Sequence, residues 1–552
     1  MRGGQVFMEA LALHGVDAIF GNPGTTENPL LDRLIDYPDI GYVVALHEGV
    51  AVGAASFYAQ ATGRPAVVNL HVAPGLGNGI GMIYGALKAQ SPLIITAGAQ
   101  DTRMRLTEPL LSHDLVAMAE PVVKWAAQPA TADEIGPILQ RAFKIATQAP
   151  AGPVFVALPV DVMEQETQIH ATRSGALSDP TASPMAIDQA AALILGAENP
   201  AIITGDEPAR EGAFESVVRL AETIGAPVFH EGLHAQVSFP NRHPSYAGRV
   251  PFEAAATAKL LAGHDLVILL GGSFFEDVWF DGVSAFPDGA SVLQINADAA
   301  RIGRNFPVTL GLAGHSALIL PALNTALEQA DDVWRDAASE RNRNLTAAHE
   351  QVATSATAQL KKLWDSSPMS PARALHEISL ALPEQTIVVD ESITTSLEVG
   401  GRLNYAQPGD YYGARGGGIG QGIAGALGVQ LAHPDRRVIA ISGDGSAMYS
   451  VQAFWSAAHH NLPIVFIILA NREYRVLKHN LDIYRARFEI GSNKPYPHMD
   501  LGNPALNFPA MASGMGVEGE VVENPDDIAA ALSRAFNANA ARVLEIVISG
   551  KP

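Results

Sequence analysis

The chain has no cysteine. That excludes a disulfide framework and any thiolate metal site, and leaves the redox compartment undetermined. Long apolar runs are also missing: no stretch of about eighteen apolar residues occurs, so no membrane-spanning helix is expected. Positive charge is scarce, with 36 Lys and Arg against 57 Asp and Glu and a formal net charge of -21. A phosphate backbone repels such a surface, which argues against a nucleic-acid partner and for small metabolites. Only 17% of the residues are charged and 48% are hydrophobic, which suits large buried cores and not a disordered chain. A length of 552 residues implies three or four domains of ordinary size. The start, MRGGQVFMEALALHGV, reads as an amphipathic helix and not as a signal peptide, and the expected location is cytoplasmic.

Apolar runs of strand length alternate with helical stretches along the chain. From Asp17 to about Val160 the runs are AIF (18–20), YVVAL (42–46), AVVNL (66–70) and LIITAG (93–98). An aperiodic stretch from Gln165 to Ser183 reads as a linker. Further strands are expected at AIIT (201–204), DLVILLG (265–271) and SVLQIN (291–296), then a charged surface helix between Glu328 and Lys362. A last set follows at TIVVD (386–390), RVIAIS (437–442) and IVFIIL (464–469). The expected fold class is therefore α/β, with three doubly wound parallel-sheet domains over 1–165, 184–328 and 366–552.

The most informative segment is RVIAISGDGSAMYSVQAFWSAAHHNLPIVFIILANREY, which reads as strand, Gly-Asp-Gly turn, helix, strand and polar turn. A right-handed crossover brings the two strands together, so Asp444 and Asn471 are expected beyond the carboxyl edge of the sheet, where open α/β sheets bind ligands. The Asp444 carboxylate, the Asn471 amide oxygen and the Glu473 backbone carbonyl are hard donors suited to Mg²⁺ or Ca²⁺, with diphosphate oxygens completing the shell. Gly443 and Gly445 permit close approach, and a helix from Ser446 offers amides to phosphate. A GDG tripeptide alone is usually only a turn; an Asn about 25 residues further on, ending the next strand, is more specific. The pair resembles the thiamine-diphosphate signature of the family that includes benzoylformate decarboxylase, pyruvate decarboxylase and acetolactate synthase.

A rival reading uses Gly420, Gly422 and Gly425, which fit GxGxxG, with Asp444 as a ribose-binding acid; this would be an NAD(P)-dependent oxidoreductase. It has two weaknesses: no strand is expected directly before GARGGGIGQG, and Asn471 has no role. Under the family resemblance the same run, with Gly418, approaches the cofactor, and Ile419 lies beneath its bent ring pair. Taken alone, Ile419 reads equally as a core residue.

Near the N-terminus, YVVALHEGVAVGAASFYAQATG places Glu48 between an apolar strand and a helix of small residues. A carboxylate there is expected to be desolvated, which strengthens the hydrogen bond that a proton relay to an aminopyrimidine needs. By itself Glu48 is more often a helix-start acid. The stretches GNPGTTENPLL, ALHEGVAVGAA, NLHVAPGLGNGIG and SPLIITAGAQ are similar to the benzoylformate-decarboxylase-like branch. That resemblance implies that Glu48 activates the cofactor, His71 transfers protons and Thr25 touches substrate. It also assigns Ser392 and Thr394 of DESITTS to the diphosphate, against the plain reading of a helix N-cap cluster, and adds Gly445, Ser446 and Tyr474 to the cofactor set.

The match breaks in two places. The middle segment GGSFFEDVWFDG has no histidine where that branch carries a second one; Val278 and Trp279 stand in its neighbourhood. After the metal turn comes YRVLKHN, whose Arg475, Lys478 and His479 either favour an anionic substrate or are surface charges on a helix. His71 stands alone where pyruvate decarboxylases have two adjacent histidines. The resemblance implies thiamine diphosphate, a divalent metal and non-oxidative decarboxylation of a small-molecule 2-oxo acid through a cofactor carbanion and enamine. Carboligation of the acetolactate-synthase type is the alternative. A homodimer or homotetramer with active sites at the subunit interface is expected. FAD is left undetermined and less expected.

Overall fold

A computed structural model describes residues 1–175 and 178–550. The chain forms two compact units: residues 1–176, 365–399 and 414–552 make one, and residues 177–364 and 400–413 the other. They contain three six-stranded sheets.

The first sheet comprises β1 (Ala18–Gly21), β2 (Gly41–Val44), β3 (Ala66–Leu70), β4 (Leu93–Ala99), β5 (Ala126–Ala127) and β6 (Val154–Pro159), in the order β2-β1-β3-β4-β6-β5. Every neighbouring pair is parallel. Its central strands β3, β4 and β6 are apolar and buried almost throughout, as parallel strands covered on both faces must be.

The second unit holds β7 (Pro200–Thr204), β8 (Val228–His230), β9 (Tyr246–Arg249), β10 (Leu266–Leu270), β11 (Ser291–Asn296) and β12 (Leu310–Ala313), in the order β12-β11-β10-β7-β8-β9. The charged stretch forms one 31-residue helix, Asp332–Lys362, capped by the Asp331 carboxylate, which accepts from the Trp334 N–H at 2.9 Å. The expected linker at 165–183 has no helix or strand among its described residues; Ala176 and Leu177 lie outside them.

The third sheet has β13 (Ile387–Glu391), β14 (Tyr411–Gly413), β15 (Val438–Gly443), β16 (Val465–Ala470), β17 (Glu518–Val522) and β18 (Arg542–Val547). Its parallel run is β13-β15-β16-β18-β17. Two local expectations are corrected. A short strand, β14, does precede the glycine-rich segment. The helix after the GDG turn begins at Asp444 and not at Ser446, lasts one turn to Ala447, and is followed by a second helix, Ala453–His459.

Within the first unit, the first and third sheets share a seam between two helices, Glu48–Thr62 and Gln421–Ala432, whose residues are buried nearly all round. Small residues let the backbones meet. A Cβ on Gly428 would lie 1.9 Å from the Ala54 carbonyl oxygen, and one on Gly425 2.5 Å from the Phe57 ring.

Candidate functional site

The strands β15 and β16 are parallel neighbours, so their carboxyl ends deliver Asp444 and Asn471 to the same sheet edge. A backbone bond ties the two turns: the Arg472 N–H donates to Asp444 Oδ2 at 2.6 Å, and the Gly445 N–H to Oδ1 at 2.8 Å. Burial pushes the Asp444 carboxyl up to about 6, against the opposing pull of those amides. Asn471 Oδ1 accepts from the Glu473 N–H at 3.0 Å. Glu473 and Asp500 form an isolated bridge whose bonds run from the Tyr474 N–H to the Met499 carbonyl and from the Leu501 N–H to the Arg472 carbonyl. The Glu473 carbonyl takes no part in it. No three His, Cys, Asp or Glu side chains gather into a metal cluster among the described residues. A metal at this edge would depend on a mixed set of carboxylate, amide and carbonyl oxygens, which suits a hard divalent cation. Gly445 has no substitute here, because a Cβ would lie 2.6 Å from the Tyr474 ring, and the buried Ser446 belongs to the same first turn.

Lys478 is neither a free surface charge nor a substrate-facing cation. Its ammonium is buried, pairs with the Glu473 carboxylate and reaches Asp500 Oδ1 at 2.6 Å, fastening the 494–501 segment to the Arg475–Arg487 helix. His479 is exposed and Arg475 half-buried.

Around the DESITTS turn, the buried Ser392 donates its hydroxyl to Asp390 Oδ1 at 2.6 Å and makes no side-chain cap bond. Thr394 is exposed. Gly418 and Ile419 are half-buried, so Ile419 is not a core residue.

The Gln421–Ala432 helix begins directly after Gly420, and its first amides are occupied. The N–H groups of Gly420, Gln421 and Gly422 all donate to the Glu391 carboxylate, at 2.9, 3.0 and 3.0 Å. Burial pushes Glu391 up to about 7, partly offset by these three bonds. This removes the dinucleotide reading. A pyrophosphate needs helix-start amides that a side chain from β13 already fills, and the glycines serve close packing. Carboxylates take backbone amides in the second unit as well. At its strand ends the Glu231 carboxylate accepts from Ser273 and Phe274 N–H at 3.0 and 2.9 Å, Asp206 from Ala235 and Gln236 at 2.7 and 3.0 Å, and Glu207 from Ala297 at 3.1 Å. These carboxylates are buried and cap the loop amides at the strand ends. Val278 is exposed and Trp279 half-buried.

Glu48 opens its helix and is only 6% exposed, as its apolar setting predicts. Asn78 donates to its Oε2 at 3.0 Å and Asn22 to its Oε1 at 3.4 Å. His71 follows β3, and its Nδ1 lies 2.8 Å from Glu27 Oε2. Thr25 is exposed at the start of the 3-10 turn Thr25–Glu27, whereas its neighbours Thr26 and Glu27 are buried beside His71. Sequence reasoning passed over both. The available signal was an acid within GNPGTTENPLL that no surface pattern explains. Three non-glycine residues with positive φ stand directly after candidate residues: Val72 (43°) after His71, Ile393 (52°) after Ser392 and Arg472 (58°) after Asn471. Such backbone strain concentrates where side chains must be aimed. Among the described residues, no hydrogen bond or ion pair joins Glu48 or His71 to Asp444, Asn471 or Ser392. No helix among them is long and apolar enough to cross a membrane.

Three family models match the chain: the N-terminal TPP binding domain of thiamine pyrophosphate enzymes over residues 1–118, the central domain over 187–323 and the C-terminal TPP binding domain over 395–546. Benzoylformate decarboxylase of Pseudomonas aeruginosa is 33% identical over 98% of this chain and 97% of its own length. A Mycobacterium tuberculosis chain described as a candidate acetolactate synthase large subunit is 30% identical over 99% of each. Among solved structures, the thiamine diphosphate-dependent 4-hydroxybenzoylformate decarboxylase of Rhodococcus jostii RHA1 superimposes with a TM-score of 0.85 at 28% identity, covering 100% of this chain and 99% of that one.

Proposed function

Because the chain belongs to the thiamine pyrophosphate enzyme family, we propose that it catalyses the non-oxidative decarboxylation of a 2-oxo acid, with thiamine diphosphate held by Mg²⁺. The observation that carries this reading is the bond from the Arg472 N–H to Asp444, which draws the two oxygen-donor turns to one sheet edge. Asp444, Asn471 and the Glu473 carbonyl would hold the metal. Gly445, Ser446 and Tyr474, with Ser392, Thr394, Gly418 and Ile419, would hold the cofactor. When bound, thiamine diphosphate supplies an electron sink for the bond broken next to the carbonyl.

The protein's own groups position substrate and move protons. Glu48, sheltered from water and fixed by Asn22 and Asn78, holds a carboxylate that would serve as the proton acceptor and donor for the pyrimidine of a bound cofactor. His71 carries protons to and from the reacting carbon, and the exposed Thr25 hydroxyl is available to the substrate. Membership of this family supports a homodimer or homotetramer with active sites at the subunit interface. We place the domain borders at 1–165, 184–328 and 366–552, although residues 400–413 pack with the second unit, and propose a cytoplasmic location.

A panel of 2-oxo acids including benzoylformate and pyruvate, assayed for CO₂ with and without thiamine diphosphate and Mg²⁺, tests the reading. Cofactor-dependent CO₂ with an aldehyde product is expected, and Glu48→Gln should lower kcat by about 10²–10⁴. An acetolactate-type condensation product would replace decarboxylation by carboligation. No turnover of any acid, or full activity in Glu48→Gln, would overturn the proposal.

A further inference from the structure

The Glu27 side chain is fully buried, whereas His71 keeps 27% of its ring exposed. Nothing in the proposed reaction yet uses this carboxylate. Its Oε1 is committed twice, accepting from the Thr26 hydroxyl at 2.7 Å and from the Gly98 N–H at 2.9 Å. Its Oε2 meets His71 Nδ1 at 2.8 Å. An ionised carboxylate only accepts, so with Glu27 ionised the proton in that last contact belongs to the imidazole. The Thr26 hydroxyl gives its single proton to Glu27, and towards Nδ1, 3.4 Å away, only its lone pairs remain.

Two backbone positions make room for the pair. A Cβ on Gly24 would lie 2.0 Å from His71 Nδ1, and a Cβ on Gly98 2.1 Å from Glu27 Oε1. Val72, the residue after His71, holds a φ of 43°, which a β-branched side chain tolerates poorly. Two glycines with no space for a methyl group and one strained residue surround a single ion-pair geometry.

We infer that Glu27 is the positioning residue for His71, fixing the imidazole as the Nδ1–H tautomer so that Nε2 is the atom that takes and returns the proton. This rests on the proposed proton-carrying role of His71. When Nε2 binds a proton from the substrate or solvent, the ring becomes an imidazolium whose charge the adjacent Glu27 carboxylate balances. When Nε2 releases that proton to the product carbon, the ring returns to neutral with Nδ1–H unchanged. Glu27 neither gains nor loses a proton in the cycle.

The substitution Glu27→Gln discriminates, because the amide is oriented by its neighbours. The Thr26 and Gly98 donors require the amide oxygen at the Oε1 position, which turns the NH₂ group towards His71 Nδ1 and forces the ring proton onto Nε2. Histidine ¹⁵N NMR of the intact protein at about pH 9, where an ordinary imidazole is neutral, with His71 assigned by its loss in His71→Gln, reads the tautomer directly. Nδ1–H is expected in the parent and Nε2–H in Glu27→Gln. With the reactive 2-oxo acid, kcat should fall by about 10²–10⁴ while KM changes little, and Glu27→Asp should recover part of the loss. A parent ring protonated on Nε2, or Glu27→Gln with unchanged kcat, overturns the inference. The parent spectrum needs no variant and no substrate. It therefore decides the tautomer even if Glu27→Gln does not fold or no 2-oxo acid reacts, and failure of the inference is distinguishable from failure of the functional proposal.

Discussion

Replacing Glu391 with Gln changes one oxygen to a nitrogen where three backbone donors converge. In the parent, Oε1 accepts from Gly420 and Gln421 and Oε2 from Gly422. A glutamine can keep its oxygen on the first two, but its NH₂ then faces the Gly422 N–H, donor against donor. A buried donor left unsatisfied costs about 1–3 kcal/mol. At about 1–2 °C per kcal/mol for a compact unit of this size, the melting temperature should fall by about 1–6 °C. The pH dependence gives a second, independent signature. Burial raises the folded-state pKa from 4.5 to about 7, so the native protein binds this proton more tightly than the unfolded chain. Stability from this group is fully present below pH 4.5, falls as pH rises from there to about 7, and is flat above. The window spans about 3 kcal/mol at 1.36 kcal/mol per pH unit. Thermal unfolding at fixed protein concentration, followed from pH 5 to pH 8, should show that decline in the parent and a shallower one in Glu391→Gln. The two stability curves should converge as pH rises. Equal melting temperatures and parallel pH curves would refute the idea that this carboxylate caps the helix.

Three further outcomes are expected. Gly428→Ala inserts a methyl group 1.9 Å from the Ala54 carbonyl oxygen, backbone against backbone; it should destabilise by about 1–3 kcal/mol or more, measured as a lower melting temperature, and an unchanged value would show that the helices can part freely. Chelation with EDTA should abolish CO₂ release and added Mg²⁺ should restore it, whereas Asp444→Ala should bind thiamine diphosphate weakly by fluorescence titration even in excess Mg²⁺; metal-independent activity would remove Asp444 from the proposed set.

The parts of the fold most legible in the sequence were those fixed by local pattern. AVVNL, LIITAG and SVLQIN are continuous apolar runs, and they form β3, β4 and β11. The GDG turn and Asn471 could be joined from sequence because a single crossover separates them. The buried interior strands β6 and β18 were passed over although their runs are mainly apolar, and short or mixed edge strands escaped notice: β5 has two residues, and β9 and β17 carry charge or glycine on a half-exposed surface. Partners supplied from a distance escaped as well. Glu391 caps a helix thirty residues later, Glu27 meets a histidine 44 residues away and Lys478 pins a loop 22 residues on. Local spacing carries no trace of such pairings. The GxGxxG run was ambiguous for that reason, because its glycines look alike whether they admit a phosphate or a neighbouring helix.

The seam between Glu48–Thr62 and Gln421–Ala432 has a practical consequence for protein engineering. With Gly428 set against the Ala54 backbone, Gly425 against the Phe57 ring and Gly53 against the Ala424 methyl, the two helices form a matched pair, like a key and its lock. Recombination with a relative should therefore be planned so that both helices come from one parent, even though some 360 residues of chain separate them. A crossover that splits the pair would join surfaces that have not been fitted to each other, while exchange of the second unit's surface loops leaves this contact untouched.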